Sequence, residues 1–433
     1  MTRNERQKVA IEKWIKSGGR GTLQWCTGSG KTRAGLLAIK SFISKNTNKK
    51  VVVVVPTDYL KEQWLLELIK FNLDNYVSIE IINSAIKVNT SIDLLILDEV
   101  HRMAADTFFK VFAQRTPKLV LGLSATFNRL DGKHAILAFH CPVIDTLTIS
   151  EALENKWLSP YTEYKVSIET DDIEQYKEEN MKFLNAFAYF QNDFALTMSC
   201  VNGIRKGKVL IKPSHFVRYE YAQTLCTLDR NHPRYKEVVN SIFKEVTAMA
   251  FVWSRALHAR KSYVSDHPRK IELARAILEA RPHSKAITFS ATIKQAEKIK
   301  IGYVVHSKKT KKKNKLTMEE FAKLSVGVIN TAKSLDEGAD VPGLNLAVIL
   351  SNTSSQTQKT QRIGRIIRFE EGKKAEVFTL VIKGTMEENW YSTSNVGKQY
   401  IEINEQELEE VLNYSKDFDS FQEGKEMDKL FRF

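Results

Sequence analysis

No stretch of this 433-residue sequence approaches the ~18 apolar residues that a membrane-spanning helix needs. The N-terminus, MTRNERQKVA, has no apolar leader segment either, which points to a cytoplasmic chain. Cysteine is scarce: Cys26, Cys141, Cys200 and Cys226 form no C-x-x-C pair, so neither a zinc ribbon nor a disulfide framework is indicated. No repeat with a period of about 20–50 residues is present, which excludes solenoids and propellers. The one low-complexity stretch is KKTKKKNK, residues 308–315.

What remains is a chain of globular composition, long enough for two or three domains with cores of their own. Its formal charge of +14 is unevenly placed. Residues 401–433 hold ten acids and four bases, net −6, which leaves about +20 on residues 1–400. A basic body with an acidic tail fits a polyanionic partner or simple solubilising charge.

Apolar strands alternate with helical spacing through residues 1–150. TLQWC, VVVVV, DLLILD and KLVLGLS are short unbroken runs, the mark of a parallel sheet covered on both faces. The pattern returns over 266–395, in KAITFS, VGVINT, LNLAVILS and AEVFTLVI. Between them, 151–265 reads as linker and helix, rich in aromatics such as Phe183, Phe187, Phe190, Phe194 and Trp253. Residues 396–433 form the acidic tail. The fold class expected is α/β: two parallel-sheet domains around a mainly helical central segment.

The segment TGSGKT, 27–32, follows a strand and opens a helix. In that context Gly28 and Gly30 let the backbone curl, so that N–H groups of Thr27, Gly28, Ser29 and Gly30 face phosphate oxygens. Lys31 would reach the β- and γ-phosphates, and the Thr32 hydroxyl would ligate Mg²⁺. Trp25 stands where the pattern has a small residue, and is expected to crowd the loop's surroundings. The run LLILDEVHR ends in adjacent acids. Such a pair can be a solvated strand end or a metal site, but a triphosphate bound at the same sheet assigns them. Asp98 would hold Mg²⁺, and Glu99 would polarise the attacking water. In QRIGRIIR, Gln361, Arg365 and Arg368 fall at i, i+4 and i+7, expected on one helix face as fingers for the γ-phosphate.

The order TGSGKT, VVVPT, LDEVH, SAT, NTAKSLDEGADVP, QRIGRIIR resembles the motif series of superfamily 2 helicases and translocases. PTDYLKEQW and SATFNRLDG are similar to the branch that holds the xeroderma pigmentosum group B helicase and phage UvsW-type DNA helicases. The resemblance covers about 1–145 and 265–395. It implies two RecA-like domains, with ATP and Mg²⁺ between them and Gln7 on the adenine. This chain has Asn4 where the family has an arginine. Ser124 and Thr126 would couple the sheets, and Asp340 would sit near the ribose. Thr57, Arg129 and Thr331 fall where the family touches nucleic acid, and Lys311, Lys312 and Lys313, read as a loop, would add phosphate contacts. The implied function is an ATP-dependent DNA helicase or translocase, expected as a monomer, acting on branched, forked or single-stranded DNA in a bacterial or phage-infected cytoplasm. The alternatives are an RNA helicase and the motor subunit of a restriction or defence complex.

Overall fold

Five consecutive valines cannot be amphipathic, and Val51–Val55 is buried along its whole length. It is one of six strands that residues 1–147 contribute: β1 (Arg20–Trp25), β2 (Val51–Val55), β3 (Val77–Ile81), β4 (Leu94–Asp98), β5 (Leu119–Ser124) and β6 (Val143–Leu147). They lie in the order β3-β2-β4-β5-β1-β6, every pairing parallel. Strand periodicity divides the side chains between two cores. Val51, Val53, Val55, Leu94 and Ile96 pack on one face, and Val52, Val54, Leu95 and Leu97 on the other.

Three helices matter for the site: α1 (Arg3–Lys16), α2 (Lys31–Ile43) and α3 (Asp58–Lys70). A capping box between Thr2 and Glu5 starts α1, and the Thr57 hydroxyl caps α3. The computed structural model describes residues 1–44, 49–104, 109–127, 132, 134–205, 231–332, 341–395 and 399–414.

The chain divides into two compact units. One consists of Ile168–Lys270 with Ile382–Glu388, and is helical. Its helices include α4 (Ile173–Tyr189), α5 (Phe194–Arg205) and α6 (Pro233–Asp266). Ala186, Phe190, Val201, Ile242, Val246 and Trp253 form its core, and Phe183, Phe187 and Phe194 pack their rings around Trp253. These aromatics are thus largely structural. Deep in the same unit, the Lys270 ammonium donates to both carboxylate oxygens of Glu387 at 2.6 Å.

The other unit holds both sheets. The second has seven strands: β7 (Tyr161–Ile168), β8 (Lys285–Ser290), β9 (Tyr303–His306), β10 (Gly327–Ala332), β11 (Leu346–Ile349), β12 (Ala375–Ile382) and β13 (Ile401–Ile403), in the order β13-β7-β12-β11-β8-β10-β9. It extends beyond 266–395: β7 comes from the stretch after the first sheet, and β13 from the acidic tail. Three residues are too few for a periodic signal, so β13 is defined by its parallel register on Tyr164–Val166. Helices α7 (Lys311–Lys323), α8 (Gln356–Ile366), α9 (Met386–Ser394) and α10 (Glu405–Tyr414) complete the elements used below. Among the described residues no helix is long and apolar enough to cross a membrane.

Candidate nucleotide cleft

Strand β1 delivers the chain into a turn whose two glycines, Gly28 and Gly30, have φ of 83° and 93°. Those values lie in the left-handed region, where a Cβ is strained. At Gly30 a Cβ would also stand 2.5 Å from Gln7 Nε2, so a side chain there would displace that carboxamide. Helix α2 starts at Lys31, whose ammonium donates to the Trp25 carbonyl at 3.0 Å and thus lies over the turn. Ser29 faces inward, donating to the Cys26 carbonyl at 2.7 Å.

Gln7 is 1% exposed, and its carboxamide nitrogen donates to Gly30 O at 3.3 Å. Its carboxamide oxygen, and the Thr27 hydroxyl, are buried without a hydrogen-bond partner among the described residues. An unmet acceptor beside the turn fits an exocyclic amine of a nucleobase. A residue that spacing did not single out is Arg3, which donates to Ser29 O at 2.9 Å and also to Gly28 O. It sits one residue before Asn4, and only this register offset hid it from a motif comparison.

Trp25 does not crowd the turn. Its ring is fully buried, and its Nε1 donates to Asp145 Oδ2 at 2.8 Å. Arg6 lies over that ring and pairs with Asp145 at 2.6 Å, and Lys13 joins at 2.6 Å. Burial pushes the Asp145 carboxyl up, but Lys13, Arg6 and Trp25 outweigh it and hold the group below its ordinary value. The bulky residue therefore pins α1, and with it Arg3 and Gln7, beside the turn.

At the end of β4, Asp98 accepts from Trp64 Nε1 at 2.9 Å and from the Glu99 amide at 3.0 Å. Burial first, and then the Glu99 charge, raise Asp98 to about 6. Glu99 has φ of 49°, so the chain turns there and both carboxylates reach one side. His101 Nδ1 lies 2.8 Å from Ser124 Oγ and 3.4 Å from Glu99 Oε2, while Ser124 donates to the Thr126 carbonyl. The acidic strand end and the SAT segment are thereby joined inside the first sheet.

A cavity of about 650 Å³ gathers these groups: Arg3, Thr27, Gly28, Gly30, Lys31, Thr32, Asp98 and Glu99 line it together with Gln361, Arg365 and Arg368 from the second sheet. The three cross-sheet residues do meet, but not on one helix face. Helix α8 ends at Ile366, and Arg368 lies beyond its cap, where Leu158 bridges to it. At Gly364 a Cβ would overlap the Thr27 Cβ, so the glycine permits close approach of α8 to the turn.

The expected nucleic-acid residues are scattered. Thr57 is half-buried, its hydroxyl accepting from Leu60 N at 3.3 Å. Thr331 stands against the expectation of a backbone contact: it is 2% exposed in the core of β10, and its hydroxyl donates to Thr288 O at 2.8 Å. Lys311, Lys312 and Lys313 are exposed but do not form a loop. The Thr310 hydroxyl caps them as the first turn of α7. Lys311 pairs with Asp58 at 3.1 Å, and Lys315 with Glu62 at 2.8 Å, both acids on α3. Arg129 and Asp340 lie outside the described residues.

Comparison with known proteins gives the arrangement its context. Residues 1–90 and 83–129 match the family described as type III restriction enzyme, res subunit, and residues 269–370 match the helicase conserved C-terminal domain. The chain is similar to "DNA 3'-5' translocase XPB2" of Sulfurisphaera tokodaii, with 26% identity over 399 residues covering 88% of this chain and 81% of that one. It is also similar to "Putative helicase 22" of Sulfolobus islandicus filamentous virus, at 22% identity, covering 84% of this chain and 61% of the relative. Among solved structures, Dbp5 of S. cerevisiae bound to RNA and ADP BeF3 superposes with a TM-score of 0.57 at 14% identity, covering 94% of this chain and 91% of that one. This last likeness concerns the fold, two RecA-like sheets. With a phosphate-loop geometry in the first sheet, arginines of the second in the same cavity, and the restriction-subunit and helicase C-terminal families matched in order, the chain belongs to the superfamily 2 helicases and translocases, ATP-driven motors on nucleic acid.

Proposed function

We propose that this protein is an ATP-driven DNA translocase that remodels branched DNA, by fork regression or branch migration, and works as a monomer. The observation that carries the reading is the cavity in which Lys31, Asp98 and Glu99 face Gln361, Arg365 and Arg368. DNA is favoured over RNA by the likeness to a protein named as a DNA translocase, and the basic body suits either backbone.

In this reading the turn amides and Lys31 bind phosphate oxygens, and Gln7 and Arg3 hold the base end of the nucleotide. Thr32 and Asp98 would hold Mg²⁺, which neutralises phosphate charge when bound. Glu99 orients the attacking water, and its neighbour His101 links that carboxylate to Ser124. Arg365 and Arg368 stabilise charge that develops on the γ-phosphate. Because the nucleotide's two sides belong to different sheets, hydrolysis and release change how tightly the sheets hold each other, and so the grip on the phosphate backbone.

The test is ATPase and strand displacement on a panel of single strands, duplexes, forks and four-way junctions in DNA and RNA, with Glu99→Gln as the hydrolysis-deficient control. Removing a positioned base typically costs ~10²–10⁴ in rate. Strongest stimulation by forked or four-way DNA is expected, and equal stimulation by all substrates would refute branch specificity. A second reading, the motor of a restriction complex, is favoured by the match of residues 1–129 to a restriction-subunit family. Under it the native protein would migrate in a larger assembly with a nuclease, whereas the first reading expects a species near the chain mass of 49.6 kDa.

A further inference from the structure

Helix α8 points its polar and charged side chains two ways. Gln361 and Arg365 line the nucleotide cavity. Lys359 and Arg362 turn instead into the second sheet's own core, each 4% exposed. Arg365 lies six positions after Lys359, which at ~100° per residue places them on different sides of the helix.

Lys359 Nζ lies 2.5 Å from Glu163 Oε1 on β7 and 3.8 Å from the centroid of the Tyr391 ring on α9. Tyr391 donates its hydroxyl to the same Glu163 oxygen at 2.9 Å. Glu163 is 3% exposed and Tyr391 1%, so the group is out of water. The second carboxylate oxygen of Glu163 is buried with no hydrogen-bond partner among the described residues. A cation held this way depends on its counter-charge: removing one member leaves an uncompensated buried charge that must move toward water. Lys359 is rooted on α8, so a shift of its buried ammonium bears on the seating of that helix. On the neighbouring turn, Arg362 donates to Ser351 O at 2.8 Å and lies over Phe289, which sets a second anchor on the same side.

We infer that Glu163 and Tyr391 are positioning residues for ATP hydrolysis: through Lys359 they fix the rotation and depth of α8, and so the place of Arg365 in the cavity. The inference rests on the reading of Arg365 as a transition-state group. Strand β7 thus carries the counter-charge for the arginine helix.

The experiment uses the full chain and measures steady-state ATP turnover with single-stranded DNA, affinity for a fluorescent ATP analogue, and thermal unfolding. Glu163→Gln is nearly isosteric and leaves Lys359 unbalanced. It should lower kcat by about 10- to 100-fold with nucleotide affinity within twofold, as a shift of about 1 Å at a reacting group does. Adding Lys359→Met removes the stranded charge, so Glu163→Gln/Lys359→Met should be more active than Glu163→Gln alone; because stability should recover as well, kcat is compared per folded molecule well below both melting temperatures. Tyr391→Phe removes one hydroxyl and should give a smaller loss of kcat, about fivefold, and it decides the matter if Glu163→Gln fails to fold. A folded Glu163→Gln or Tyr391→Phe with wild-type kcat, or a double variant no better than the single, overturns the proposal. Arg365→Ala, measured alongside, separates the two claims. Loss of kcat there with kcat kept in Glu163→Gln rejects positioning, whereas kcat kept in Arg365→Ala rejects the reading of Arg365 itself.

Discussion

Asp98 is a carboxylate that the fold holds at a cost. It is 6% exposed at the end of β4, and burial with the Glu99 charge raises it to about 6 from 3.8. An acid whose folded-state pKa lies above its unfolded value binds a proton more readily when folded. Its destabilising contribution is therefore full above pH 6, shrinks as pH falls from about 6 to about 4, and vanishes below both values. Asp98→Asn removes that charge but also one of the two acceptors used by Trp64 Nε1 and the Glu99 amide, so its stability relative to wild type should improve as pH rises from about 4 to 7.5, while Mg²⁺-dependent turnover is abolished. Thermal melts of both proteins at pH 7.5 and pH 4.5 check it, because the variant's Tm relative to wild type should be lower at the lower pH. Glu99, displaced to φ of 49°, is the companion strain at the same spot. At this scale the sequence was readable where a motif names the residue: Lys31, Asp98, Glu99 and Arg365 all line the cavity. It was not readable where tertiary contacts decide. Nothing local assigns Trp25 to Asp145, 120 residues away, or turns Thr331 inward to Thr288.

Helix α8 is the element on which the two sheets depend. Its Gly364 is not there for its dihedral angles, since it lies in ordinary helix, but for the space a side chain would take from Thr27. Gly364→Ala should therefore push α8 off the turn and lower kcat about tenfold or more through misplacement of Arg365, with the helix itself slightly favoured by alanine. Thr27→Gly in the same chain should recover part of the loss, and an additive double-mutant cycle in kcat would count against direct contact. That α8 is helical was legible from QRIGRIIR; the single face expected for Gln361, Arg365 and Arg368 was not. Its end at Ile366, leaving Arg368 in extended chain next to Leu158, was not, because boundary residues answer to their neighbours rather than to periodicity. The short β13 is a similar case: pairing with β7 defines it, and three residues carry no pattern.

Over the whole molecule, two parallel sheets were evident from unbroken apolar runs, while the composition of the second was not. Strand β7 reads Tyr161–Ile168 in a region that looked like linker, yet it lies inside the sheet, with β13 at its outer edge. Charge was legible in total and not in its pairing. Lys311 and Lys315 begin α7 facing Asp58 and Glu62 on α3, so the lysine run joins the two sheets' helices. Exposed ion pairs of this kind contribute little to stability and weaken with salt, which leaves their lysines available to a stronger anion. A phosphate backbone is such an anion, and Lys312 and Lys313 are exposed on the same first turn. Replacing Lys311, Lys312 and Lys313 by alanine should weaken DNA binding about equally for all sequences. It should also flatten the plot of log K against log salt by roughly one unit for each phosphate that is no longer neutralised. ATP turnover without DNA should stay near wild type, since none of the three lines the cavity. Asp58→Ala/Glu62→Ala is the complementary variant: with the competing acids gone, DNA should bind more tightly at low salt, and the difference should disappear as salt rises. Fluorescence titration of labelled single strands across a salt series reads both effects. An unchanged slope in the triple lysine variant, together with unchanged affinity in the acid variant, would leave the run as a bridge between helices and nothing more.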